Sequence, residues 1–200
     1  MKKRPFRTVE LTLGAVFVVL MMIGANIAIW FPALRISYGA GEVPLTLQTF
    51  FAILAGILLG KKLGAFSMIV YLLVGIVGVP VFAEMKSGVA QLAMPTGGFL
   101  ISFIFVAFVA GYIVEKGSKS SIMTYLLATF AGLLVNYLIG TPYMWYSMNY
   151  VLEVGITLWG ATMIMVPFFI KDFIITMLFA LLLPQFVTRL TKASPSLARQ

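Results

Sequence analysis

In the stretch "LTLQTFFAILAGILLGKKLGAFSMIVYLLVGIVGV", residues 45–79, two apolar runs meet at one pair of lysines, Lys61 and Lys62. An apolar run of about 20 residues is long enough for a helix to cross the hydrocarbon core of a bilayer. The stretch therefore predicts two membrane spans that are joined by a very short turn at the lysines.

The rest of the 200-residue chain has the same character, since 62% of its residues are hydrophobic and 10% are charged. A soluble domain carries about 25% charged residues. The composition therefore predicts an all-α, polytopic membrane protein with residues 1–200 in one integral membrane domain. Residues 11–31 exceed the roughly 7–15 residues of a signal-peptide core, so they are expected to remain as the first span. The six predicted spans lie at about 11–31, 45–60, 63–79, 98–114, 121–139 and 168–187.

The basic residues predict the orientation. If the N-terminus is cytoplasmic, 11 of the 14 lysines and arginines fall on the cytoplasmic side, two fall outside and Lys171 lies within a span. This asymmetry follows the positive-inside rule, so both termini are expected in the cytoplasm of a prokaryotic cell, and the net charge of +8 indicates topology rather than nucleic-acid binding. The 11 residues are Lys2, Lys3, Arg4, Arg7, Lys61, Lys62, Lys116, Lys119, Arg189, Lys192 and Arg199; the two outside are Arg35 and Lys86.

The outer face is expected to carry the functional site, because its connections, unlike the inner turns, are longer than a structural turn requires. Residues 33–39 alternate apolar and polar side chains, which indicates either a short extended flap or an ordinary solvated loop. The aromatic-rich residues 142–150 are expected to anchor the bilayer interface or to contact a ligand. The three outer connections are 32–44, 80–97 and 140–167.

Lys171 and Asp172 are the only charged residues between 156 and 187. One span does not need so many residues, so the segment is expected to break at Pro167, with a short surface helix before it. Asp172 would then lie near a helix N-terminus, where a carboxylate is favoured, and Lys171 could extend outward. The two side chains could bind a ligand, pair with each other or face lipid.

Other polar groups are expected near the outer ends of the spans. Thr46 and Gln48 open the second span, and Asn136 shares one helical face with Gly132 and Gly140, so it is expected to face the bundle interior or to bond a neighbouring backbone. The glycines at 97 and 98 would allow backbone N–H groups to approach a ligand closely.

The residues that are absent exclude several kinds of chemistry. The chain has no cysteine and no histidine, and no nucleophile elbow, so the sequence predicts no enzyme activity and no cofactor. It also has no phosphate-binding loop, so it does not predict ATP hydrolysis by the chain itself.

The stretches "VPLTLQTF" (43–50), "GKKLGAFSMIVYLLVGIVGVPVFA" (60–83) and "PTGGFL" (95–100) resemble the BioY family, the biotin-binding S components of energy-coupling-factor transporters. The resemblance implies a six-helix S-component bundle that captures biotin on the outer face, beneath a flap between the first two helices. It also implies a membrane T component and two cytoplasmic ATPases as partners. The alternative is a stand-alone secondary carrier for biotin or another small vitamin.

The resemblance also implies roles for the candidate residues. Asp172 would accept a hydrogen bond from a ureido N–H of biotin, Asn136 would donate and accept, and Lys171 would pair with the carboxylate. Family members commonly carry a lysine one helical turn later, where this chain has Ile175. Thr46, Gln48 and Thr96 would complete the polar contacts, and Phe82, Met94 and the outer-loop aromatics would cover the apolar body. The backbone at Gly98 would approach the ligand closely. The ligand is expected to offset the cost of burying the polar groups.

Overall fold

The computed structural model describes residues 7–38, 41–118 and 121–193, and these are predominantly helical. Two short 3-10 turns, Pro32–Leu34 and Ala83–Met85, lie in the connections. The remaining elements, in chain order, are helix α1 (Thr8–Trp30), strands β1 (Arg35–Tyr38) and β2 (Gly41–Pro44), and helices α2 (Gln48–Ile76), α3 (Ala90–Ala93), α4 (Gly97–Lys116), α5 (Ile122–Tyr150) and α6 (Leu158–Ala193).

Helix α2 folds back on itself at Gly60, whose φ of 78° and ψ of 167° are not helical. The Gln48 amide donates a hydrogen bond to the Tyr71 hydroxyl at 2.9 Å. In one straight helix these residues would be about 34 Å apart, because each residue adds about 1.5 Å. Residues 48–59 and 61–76 are therefore antiparallel arms, called here the first and second arms, and the predicted short turn beside Lys61 is confirmed.

Five of the described helices are long and apolar enough to cross a membrane: α1, α2, α4, α5 and the part of α6 from Leu158 to Val187. Helix α2 counts once among the five, although its two arms run in opposite directions.

The end of the bundle that contains the Gly60 turn is rich in basic residues and is called the basic end. There Glu115 of α4 accepts a hydrogen bond from the backbone N–H of Lys61 at 2.8 Å and pairs with its ammonium group at 2.7 Å. Five other basic residues that the sequence assigns to this end, Lys2, Lys3, Arg4, Lys119 and Arg199, lie outside the described residues, and so does the side chain of Lys192.

The opposite end, called the loop end, carries the long connections. Strands β1 and β2 pair antiparallel with Arg35 opposite Pro44, so the extended flap is the interpretation that the structure confirms. The connection after the flap is tied to α1, because the backbone N–H of Leu47 donates to the Gly24 carbonyl at 2.8 Å.

Two sequence-based expectations about the third outer connection are wrong. Helix α5 continues through Pro142 to Tyr150, and α6 runs through Pro167, where a break was expected. A proline removes one helical hydrogen bond, and membrane helices tolerate this loss where neighbouring groups satisfy the freed carbonyl. Residues 142–150 are thus helical, and Lys171 and Asp172 lie more than three turns into α6, where the helix N-terminus does not stabilise a carboxylate.

The helices pack most closely where α2 meets α4. A Cβ added to Gly56 would overlap the backbone of Ala107, and one added to Gly111 would overlap the backbone of Lys61. Small residues at such a crossing let two helix backbones approach closely. Above this contact, α5 and α6 extend further toward the loop end and form a second apolar cluster around Met144, Ala161, Met165 and Phe168.

Candidate functional site

Polar side chains meet where the first arm of α2 begins and where α4, α5 and α6 pass it. Three separate hydrogen-bonded networks lie there, and together they are called the polar layer. Its side chains are those of Gln48, Thr49, Tyr71, Ser102, Asn136, Tyr137, Lys171 and Asp172.

The first network joins the two arms of α2 to the connection that follows them. Tyr71 is fully buried; its hydroxyl accepts from Gln48 and donates to the Val81 carbonyl at 3.0 Å. The ring of Phe82 packs edge-on against the Tyr71 ring, with centroids 5.7 Å apart, and fills the space beside Gly75. Phe82 is therefore buried next to the network rather than free at the surface.

The second network surrounds Asn136, which is 2% exposed and faces the bundle interior, as the sequence predicts. Its carbonyl oxygen accepts from the Ser102 hydroxyl at 2.6 Å, and its amide donates to the Thr49 hydroxyl at 3.2 Å. Asn136 thus links α5 to α4 and to the first arm of α2.

The third network contains the charged pair. The Lys171 ammonium lies 2.6 Å from Oδ1 of Asp172, and the Tyr137 hydroxyl donates to Oδ2 at 2.8 Å. Lys171 also donates to the backbone carbonyl of Thr46, in the connection between the flap and α2. Asp172 is 4% exposed, so the pair is held away from water and tied to the loop end.

The structure thus satisfies the polar groups with protein partners, whereas the sequence led us to expect that a ligand would offset their burial. Breaking a buried ion pair by removing one partner costs about 3–5 kcal/mol, because the other charge is left uncompensated. A ligand that binds to the polar layer therefore has to replace existing protein partners, rather than bind to polar groups that lack a partner.

Three of the predicted residues lie apart from the networks. The Thr96 side chain is exposed, Met94 is partly covered and Gly98 is buried where α4 meets Tyr143 of α5. In the described part of the chain, no hydrogen bond joins these side chains to the polar layer. The glycine pair at 97 and 98 permits close packing, since a Cβ on either residue would overlap neighbouring atoms.

The sequence-based reasoning missed Tyr71, Tyr137 and Ser102. The sequence held no usable signal for Tyr137, because tyrosines in membrane helices are concentrated at the bilayer interface and the predicted span ends two residues later, at residue 139. Helix α5 instead continues for 13 residues beyond Tyr137, so an interfacial role does not explain it.

Comparison with known proteins places the chain in a family. The BioY family model matches residues 1–192. The chain is 38% identical to the BioYB protein of Bacillus subtilis (strain 168), over 97% of this chain and 95% of that one. It is 42% identical to the biotin transporter BioY of Thermotoga maritima, over 66% of this chain and 71% of the relative. The chain belongs to the BioY family, and it is a multi-pass membrane protein.

Two solved structures share the fold. The S component for biotin from an ECF-type ABC transporter superposes with a TM-score of 0.67 at 22% identity, covering 92% of this chain and 95% of that structure. FolT bound with folic acid superposes with a TM-score of 0.55 at 18% identity, covering 90% of this chain and 95% of that one. The chain therefore has the S-component fold.

Proposed function

We propose that this chain is the substrate-capture subunit of a biotin importer and that it binds biotin at the loop end. Its membership of the BioY family and the names of its relatives support the substrate. The observation that carries the proposal is the buried Lys171–Asp172 pair, which is tied to the flap connection through Thr46. The side chain of Lys171 is long and flexible, so its ammonium group can turn away from Asp172 and a ligand can separate the two charges.

Biotin offers groups that can take over both halves of the pair. Its carboxylate can replace Asp172 as the partner of Lys171, and a ureido N–H can replace Lys171 at Oδ1 of Asp172. One ion pair is then exchanged for another ion pair and a charge-assisted hydrogen bond, so neither charge is left unpaired. The lysine side chain is 17% exposed, against 5% for the aspartate, which makes the lysine the partner that moves.

The other predicted residues complete the proposed site. Thr46 and Gln48 contribute polar contacts from the start of α2, Asn136 from α5 and Thr96 from the turn before α4. Phe82 and Met94 cover the apolar body of biotin. Gly98 has no side chain, so it lets the backbone of α4 approach biotin closely. The two uncharged networks hold Gln48 and Asn136 in fixed orientations, which suits a preformed pocket.

The proposed topology has six spans with both termini in the cytoplasm. The fold-back of α2 at Gly60 supports six crossings rather than five, because each arm runs from one end of the bundle toward the other. The basic end then faces the cytoplasm, in agreement with the positive-inside rule, and the loop end faces outward.

The proposed partners are a membrane T component and two cytoplasmic ATPases. The S-component fold supports this assembly, and so does the lack of a phosphate-binding loop in the chain. The chain's own role is binding and delivery, without catalysis.

Titration of the purified protein with biotin tests the proposal. Trp145 reports from the loop end, since its indole N–H donates to the Ile156 carbonyl at 3.0 Å. A variant with Trp30→Phe and Trp159→Phe, both exposed in the wild type, leaves Trp145 as the single tryptophan, which is excited selectively at wavelengths too long for tyrosine. We expect a saturable change with biotin and none with thiamine or pantothenate. Equilibrium dialysis with radiolabelled biotin serves as the second measurement, and no saturable retention there would refute the proposal.

A further inference from the structure

Tyr137 occupies a position that the proposed exchange of partners leaves untouched. Its hydroxyl donates to Oδ2 of Asp172, while Lys171 is the partner of Oδ1. The two carboxylate oxygens therefore have different partners on different helices. When Lys171 turns to a ligand carboxylate, Oδ1 is released and Oδ2 stays bound.

The ring of Tyr137 has little freedom to move. It packs edge-on against Phe99 of α4, with centroids 5.8 Å apart, and against Phe169 of α6 at 5.2 Å. The hydroxyl is thus presented to Asp172 from a fixed direction. The Thr176 hydroxyl donates to the backbone carbonyl of Asp172 at 2.5 Å, so it does not compete for the carboxylate.

We propose that Tyr137 is a positioning residue of the biotin site: by holding Oδ2, it orients the Asp172 carboxylate so that Oδ1 accepts the ureido N–H. This inference rests on the proposed function. Without the phenol, the carboxylate can rotate about its own axis and can follow Lys171, so its geometry toward the ureido ring is lost. A hydrogen bond to a buried charged group contributes more to stability than a neutral one, which makes this contact worth testing.

Tyr137→Phe removes only the hydroxyl, and Tyr125→Phe is its matched control. Tyr125 is fully buried on the same helix, near the basic end, so each variant loses one tyrosine hydroxyl from α5. We expect Tyr137→Phe to weaken biotin binding about tenfold or more, and Tyr125→Phe to change it less than about threefold.

A second readout separates positioning from general support of the fold. Analogues of biotin that are methylated at one ureido nitrogen cannot donate at that nitrogen. The wild type should prefer biotin strongly over one of the two analogues, and Tyr137→Phe should lose most of that preference. In an Asp172→Asn background the tyrosine substitution should have little further effect, because the oriented carboxylate is already gone.

The outcomes are distinct. If the wild type binds biotin and Tyr137→Phe keeps both affinity and preference, the positioning role is overturned. A fall in affinity with unchanged preference also overturns it, since the tyrosine would then be structural. If Tyr137→Phe does not fold, Phe99→Leu loosens the ring instead, and an unchanged preference in that variant counts against the role. Failure of the wild type to bind biotin overturns the proposed function itself.

Discussion

Asp172 shows how a carboxylate can be kept inside a membrane bundle without a helix N-terminus beside it. A charge at the centre of a membrane helix costs roughly 2.5–3.5 kcal/mol on insertion scales. Lys171 supplies the opposite charge, Tyr137 a hydrogen bond, and Thr46 accepts from the lysine in turn. The sequence left pairing of Lys171 with Asp172 as one alternative, and the structure shows the pair, but adjacent positions cannot reveal a partner that is 35 residues away.

Replacement of Asp172 tests the site most directly. We expect Asp172→Ala to weaken biotin binding at least about tenfold, which corresponds to about 1.4 kcal/mol, because the proposed ureido acceptor is lost. The dissociation constant is measured by fluorescence titration, and size-exclusion chromatography checks that the protein remains folded. Glu153→Ala, which removes an exposed carboxylate between α5 and α6, is the control. An unchanged dissociation constant would remove Asp172 from the site.

Replacement of Lys171 should show whether this lysine binds the carboxylate end of biotin. We expect Lys171→Ala to weaken binding of biotin more than binding of biotin methyl ester, because only the free acid presents a carboxylate to the ammonium group. The ratio of the two dissociation constants is the measured quantity, with Lys62→Ala as an exposed-lysine control. Equal losses for both ligands would contradict a role for Lys171 at the carboxylate.

At the scale of elements, the sequence predicted the helices better than their ends. Apolar runs identify helices that cross the bilayer, but α5 and α6 continue beyond these runs because their outer parts bury Met144, Met165 and Phe168 against each other. Proline suggested a break at 167, and tertiary packing overrode that preference. The alternation of residues 33–39 left a flap and a solvated loop as alternatives, and the structure shows the flap, since a period of two is visible even in a short strand.

The close crossing of α2 and α4 should be intolerant of added volume. Gly56→Ala places a methyl group on the backbone of Ala107, and overpacking of this kind costs typically about 1–3 kcal/mol. We expect Gly56→Ala to have a lower melting temperature than the wild type in detergent. The melting temperature is measured by near-ultraviolet circular dichroism. Gly160→Ala is the control, because its Cβ would meet the flexible side chain of Ile156 at 3.0 Å. Equal melting temperatures for the two variants would mean that α2 and α4 can separate without loss.

For the whole molecule, the absence of cysteine allows the topology to be tested with single introduced thiols. Val89, 66% exposed at the loop end, and Lys62, exposed at the basic end, are suitable positions. We expect a membrane-impermeant maleimide to label Val89→Cys in intact cells and Lys62→Cys only after permeabilisation. Labelling of both introduced cysteines in intact cells would contradict the topology with six crossings.

Transport separates an importer subunit from a stand-alone carrier. If the proposed function holds, cells that produce only this chain should bind biotin without concentrating it, because the proposed ATPases are missing. Co-production of a T component and two ATPases should give ATP-dependent accumulation, measured with radiolabelled biotin. Complete, ATP-independent uptake by the chain alone would favour the carrier instead.

The one-residue turn at Gly60 constrains how the chain can change in length. The segment between α5 and α6, residues 151–157, can accept insertions, because it is mostly exposed. An extra residue in the Gly60 turn would instead rotate the second arm by about 100° relative to the first. Tyr71 would then face away from Gln48, and Gly64 away from Gly56. An inserted residue should therefore be tolerated between α5 and α6 more readily than in the Gly60 turn.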